Sequence, residues 1–221
     1  MSQATPTPVA NAAPKPAWRS VMSRALLHPS ITTYQTLVNE PGATARRALV
    51  WYFVASLVGL ALAIPVQAAV EILSNAGSLN PAQIRELIGT PQAWFLQGAV
   101  GALFWLLLFV CAVGFTQLIA QVLGGEGSFQ KFAFVSAAIW APLTILNPLA
   151  YIPVIYFVTA IITLYGIVLS FIALKAVNEF DWGRTIIAGF GVAIVNLGVT
   201  LLSILFGAAE LMYLLAPFLS Q

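Results

Sequence analysis

Charge is what this sequence lacks most. Its 221 residues carry nine Lys and Arg and seven Asp and Glu, 7% in all, where a soluble domain carries about 25%. It has one histidine, His28, and one cysteine, Cys111. A lone cysteine excludes an intrachain disulfide and a thiolate cluster, and a lone histidine leaves a zinc site short of ligands. No metal and no cofactor is expected. None of the seven acids falls at the centre of an apolar stretch, so chemistry inside a membrane has no ionisable group to use. The cations are spread along the chain. That excludes a nucleic-acid footprint, and also the run of four to eight cations that marks a dedicated anionic-lipid patch in sequence.

What the chain has instead is uncharged apolar length. Residues Ala48–Val70, Leu87–Gly125, Phe132–Leu174 and Thr185–Ala209 carry no charge, and about 20 apolar residues cross a bilayer as a helix. The third run is too long for one helix and is broken by Asn147-Pro148 and Pro153. The sequence predicts an all-α, polytopic membrane bundle of five transmembrane helices, at about 48–70, 94–122, 129–147, 152–174 and 185–209. Five spans put Lys15, Arg19, Arg24, Arg46, Arg47, Lys131, Lys175 and Arg184 on one side and only Arg85 on the other. The positive-inside rule then gives N-in/C-out.

Between the spans the chain reads as follows. Residues 1–17, proline-spaced and polar, predict a disordered cytosolic tail without a cleavable signal, so the first span must direct insertion. Residues 18–44 predict an amphipathic juxtamembrane segment. Leu26, Leu27, Ile31, Tyr34, Leu37 and Val38 recur at helical spacing, a helix starts at Ser30, and it lies in the headgroup plane. Residues 45–221 form the membrane domain. In the outer loop, Asn80-Pro81 predicts a short helix bearing Arg85 and Glu86, which Gly89-Thr90-Pro91 stops.

The inner loop Leu123–Phe132 holds Gly124, Gly125 and Gly127, followed by Ser128. The glycines invite a phosphate-loop reading, which fails because no Gly-Lys-Ser/Thr ending and no preceding strand is present. A nucleophile elbow fails too, since Gln130 stands where a glycine is required. No catalytic residue is assigned, and Ser128 is read as the N-cap of the third span. Small residues Gly59, Ala63, Gly189, Ala193 and Gly198 are candidates for close helix packing. Gln117, Gln121 and Asn196 are candidates for interhelical bonds or a polar path. Gln97 and Asn147 belong to the same polar set. Glu210, after 25 uncharged residues, is a candidate outer-leaflet acid with Arg85 as its available partner.

Several segments taken together resemble Yip1-domain proteins, most closely the prokaryotic branch. They are LLHPSITTYQTLVNEPGA at 26–43, GGEGSFQKF at 124–132, WAPLTILNPLAYIPV at 140–154 and LYGIVLSFIALKAVNEFDWGRT at 164–185. The resemblance runs over about residues 25–205. It implies five spans and a cytosolic N-terminus. Eukaryotic members bind membrane-anchored Rab-type GTPases, but the DLxGP block of those relatives is absent here, so that partner is not carried over.

The expected function is non-enzymatic: a multi-pass protein of the prokaryotic cytoplasmic membrane that binds other integral membrane proteins or itself, or organises the bilayer. The alternatives are a small-solute or ion transporter lined by Gln117, Gln121 and Asn196, and an accessory subunit of a larger membrane complex.

Overall fold

A computed structural model describes residues 17–75, 78–152 and 155–191. Seven helices come first: α1 (Trp18–Leu27), α2 (Ile31–Val38), α3 (Ala45–Ser74), α4 (Pro81–Ile88), α5 (Pro91–Val122), α6 (Phe129–Leu146) and α7 (Tyr156–Asn178). A 3-10 turn at Asn147–Tyr151 joins the last two, and residues 182–191 form the described part of α8. Among the described residues there is no strand.

The helix starts follow local chemistry. The side chains of Ser30, Thr44 and Ser128 accept from the amides of Thr33, Arg47 and Lys131, closing the first turns of α2, α3 and α6. At α4 the cap is reciprocal: the Asn80 amide donates to Gln83 Oε1, and the Gln83 amide donates to Asn80 Oδ1. Pro91, read from sequence as a stop, also occupies the first position of α5, where its missing N–H costs nothing.

Among the described residues, four helical stretches are long and apolar enough to cross a membrane: Ala45–Ser74, Gly98–Val122, Phe129–Tyr151 and Tyr156–Asn178. They overlap the expected spans at 48–70, 94–122, 129–147 and 152–174; the second begins later than expected, and the last begins and ends later. Of the fifth, 185–209, residues 185–191 are helical, and 192–209 lie outside the described residues. So does the 1–17 tail, apart from Ala17.

α6 is the axis of the bundle. From Phe132 to Ile139 every residue is buried, and α3, α7, α1, α5 and α2 all pack on it. A helix apolar all round is satisfied in that position. Ala133, Ser136, Ala137, Ala138 and Ala141 give it a narrow surface that neighbours can approach. The opposite faces of the outer helices are bare and aliphatic, with Val50, Val54, Val58 and Leu62 on α3 and Leu103, Leu107 and Leu118 on α5.

The 18–44 segment is two helices, and part of its apolar face packs on protein while Leu27 and Ile31 stay exposed. Val21, Ala25, Tyr34 and Leu37 are fully buried, and Met22 sits with Ala55 of α3 and Ala141 of α6. The Tyr34 hydroxyl donates to the Ala25 carbonyl at 2.9 Å, the Tyr165 hydroxyl of α7 donates to the Leu26 carbonyl, and Arg24 pairs with Glu40. Burial raises the Tyr34 phenol well above its usual pKa, so it stays a donor across the physiological range.

Candidate functional site

The start of α3, the end of α5, the start of α6, the end of α7 and the start of α8 meet at one end of the bundle. The junction is set by the glycine loop after α5. Gly124, with φ of 84°, reverses the chain in the left-handed region, and the Gly125 amide closes back on the Ala120 carbonyl at 2.9 Å. Gly125 and Gly127 do something else: they let α7 come close. A Cβ at Gly127 would lie 2.6 Å from Asn178 Oδ1 and 2.8 Å from the Val177 carbonyl oxygen. At Gly125 it would lie 2.7 Å from the same Oδ1.

That proximity creates an amide knot. Gln117 and Asn178 are 2% and 1% exposed. Gln117 Nε2 donates to the Gly127 carbonyl at 2.7 Å and to Asn178 Oδ1 at 2.9 Å. Asn178 Nδ2 donates in return to Gln117 Oε1 and to the Leu174 carbonyl. Each amide therefore has partners for both its oxygen and its nitrogen, and α5, the glycine loop and α7 are bonded at one point. Among buried amides in apolar surroundings this is the favourable state, because an unpaired one is costly.

Around the knot runs a charged and aromatic rim. Lys175 Nζ donates to the Phe180 carbonyl and lies 5.2 Å from the Trp182 ring centroid, capping the end of α7 where a cation is favoured. Glu179 there takes the left-handed conformation that ends the helix. Asp181 Oδ1 accepts from the Arg184 amide at 2.9 Å and starts α8. That amide, helped by the Arg184 charge, holds the Asp181 carboxyl below the usual carboxylate range. On the other side of the rim Gln130 Nε2 donates to the Ala43 carbonyl, tying α6 to the start of α3.

The Yip1 domain family model matches residues 24–204, from within α1 into the expected fifth span. The chain belongs to the Yip1 domain family. It is a multi-pass membrane protein built as a helical bundle. No curated protein and no solved structure matches it. The glycine loop, Gln117 and Asn178 all lie inside the Yip1 domain.

Within this Yip1 domain the small residues named from sequence sit at close crossings where they are described. A Cβ at Gly59 of α3 would lie 2.7 Å from the Thr144 carbonyl oxygen of α6, and Ala63, one turn on, is buried. A Cβ at Gly189 of α8 would collide with the Phe171 ring of α7, and one at Gly191 would lie 2.7 Å from Ile119 of α5. α8 is thus wedged between α5 and α7. Gln117 is in the knot, whereas Gln121, one turn on, is exposed beside Phe115, Leu118 and Val122. Ala193, Asn196, Gly198 and Glu210 lie outside the described residues.

Sequence reasoning missed Asn178, which stood past the expected end of the fourth span. It also missed Phe171, the ring that Gly189 meets. The signal was there for Asn178: an amide followed by Glu179-Phe180-Asp181 reads as a helix end, and Gln117 lacked a named partner.

Proposed function

We propose that this Yip1-domain protein crosses the cytoplasmic membrane of a prokaryote five times, with its N-terminus in the cytosol and its C-terminus outside. It acts without catalysis, binding other membrane proteins or copies of itself, or organising the bilayer around them. The knot is the observation that carries this reading. Gln117, one of the side chains expected to line a path, is bound to Asn178 instead, and what the bundle presents outward is bare aliphatic and aromatic helix face. Such faces suit lipid and partner helices alike.

The topology is supported by charge. Arg46 and Arg47 at the start of α3, Lys131 at the start of α6, Lys175 near the end of α7 and Arg184 in α8 lie at the knot end, and Arg85 belongs to the outer loop. The fifth span is supported by the way Gly189 and Gly191 wedge α8 between two spanning helices.

Purification of the tagged protein from native membranes in mild detergent, followed by mass spectrometry, tests the binding role. A stoichiometric integral-membrane partner or a defined homo-oligomer is expected. Recovery as a lone monomer, together with solute flux in proteoliposomes that falls when Gln117 and Gln121 become Leu, would refute it.

A further inference from the structure

The start of α3 carries a groove of about 310 Å³ lined by Gly42, Thr44, Arg46, Arg47 and Val50. We infer that this groove seats the headgroup of an anionic phospholipid, whose acyl chain lies along the stripe Val50, Val54, Val58 and Leu62. The inference rests on the chain being a membrane protein, not on the partner-binding role.

Three features meet at this spot. The first is charge. Arg46 is exposed, and Arg47 is laid over the Trp51 ring, its Cζ 4.5 Å from the centroid, and over Phe134 at 5.9 Å. A guanidinium fixed against aromatic faces keeps its planar fork in one orientation, which suits phosphate oxygens.

The second feature is the backbone. The Thr44 hydroxyl accepts from the Arg47 amide and the Thr44 carbonyl from the Ala48 amide. The amides of Ala45 and Arg46 precede the first intrahelical bond and point out of the helix start, at the positive end of a 30-residue helix.

The third feature decides what kind of anion fits. Val50, Val54, Val58 and Leu62 repeat every four residues, are 40–52% exposed, and begin at the groove wall itself. At about 1.5 Å per residue the stripe runs about 18 Å, slightly more than one leaflet of a ~30 Å hydrocarbon core. A free phosphate would use the arginines and leave the stripe without a role. An acidic peptide would meet four aliphatic side chains with no polar group between them. A phospholipid uses both ends. In sequence only two adjacent cations mark the place, which is too few for a polybasic patch. The groove and the stripe make it a site for a single lipid.

The test uses the full-length protein in a zwitterionic detergent, titrated with dioleoyl phosphatidylglycerol or dioleoyl phosphatidylcholine and followed by thermal unfolding. Phosphatidylglycerol should raise the midpoint saturably and phosphatidylcholine should not. Arg46→Gln, at an exposed position, should leave the lipid-free midpoint unchanged and weaken the apparent affinity for phosphatidylglycerol about fivefold, the worth of one cation near an anionic surface. Arg19→Gln, the same charge change on α1, should stay within about twofold of wild type by the same measure.

Three results would overturn the inference. One is an equal loss in Arg19→Gln, which would make the effect a diffuse potential. Another is a midpoint rise with inorganic phosphate alone, which would make the ligand a free anion. The last is no preference for phosphatidylglycerol while Arg46→Gln sheds a copurifying protein, which would give the groove to a protein partner.

Discussion

Gly59→Ala should destabilise the bundle by about 1–3 kcal/mol, the usual cost of overpacking, and Gly59→Leu should leave no folded protein to purify. The reason is backbone, not side chain. The new methyl would stand 2.7 Å from the Thr144 carbonyl oxygen, and neither helix has a rotamer that relieves that contact. α3 and α6 would have to move apart along the most extensive helix pairing among the described residues. The gain of about 1 kcal/mol from replacing a helical glycine by alanine works in the opposite direction and sets a built-in control. At Gly98 of α5 an added Cβ meets nothing within 4 Å, so Gly98→Ala should be neutral or stabilising. Unfolding titrations in detergent compare the two. Equal stability of Gly59→Ala and Gly98→Ala would mean that the crossing is looser than the structure shows.

Breaking the amide knot from one side should cost about 1–3 kcal/mol, because the partner stays behind, buried and unpaired. Asn178→Ala strips Gln117 of one acceptor and one donor. Interhelical polar bonds within membranes average about 0.6 kcal/mol and reach about 1.7. The knot belongs at the upper end, since Gln117 also holds the Gly127 carbonyl. Gln117→Leu should cost a similar amount, and the double variant should cost clearly less than the sum of the two, because neither leaves an orphan in the other's absence. Strict additivity would show that the two amides do not act as a unit.

How far the fold can be read from the sequence depends on which physical signal is used. The uncharged runs placed α3, α5, α6 and α7, because bilayer thickness fixes a minimum length of apolar helix. Ser30 and Ser128 marked helix starts because a cap is local chemistry. The faces within each span were not legible by periodicity, since lipid and protein neighbours both accept Leu and Val. Only the small residues showed through, Gly59 and Gly189 among them, because a missing side chain has no use against lipid.

The end of α7 was placed four residues early, at Leu174, since Lys175 closed the uncharged run. A lysine at a helix terminus reaches to the rim, and here it bonds the Phe180 carbonyl while the helix continues to Asn178. That misplacement hid the partner of Gln117. The docking of α1 and α2 was hidden for a different reason: an amphipathic face reads the same whether a headgroup layer or α6 and α7 cover it. The glycine loop was legible as a turn, but the close approach of Gly125 and Gly127 to Asn178 joins positions more than fifty residues apart.

Cysteine labelling most directly tests the proposed five-span bundle with its knot end in the cytosol. Cys111 is the sole native thiol, so Cys111→Ala gives a clean background for Ser78→Cys, Glu126→Cys and Gln221→Cys. A membrane-impermeant maleimide should label the first and third in intact cells, and Glu126→Cys only after permeabilisation. If Gln221→Cys behaves like Glu126→Cys, the chain ends on the knot side, and the fifth span and the C-out orientation are both wrong.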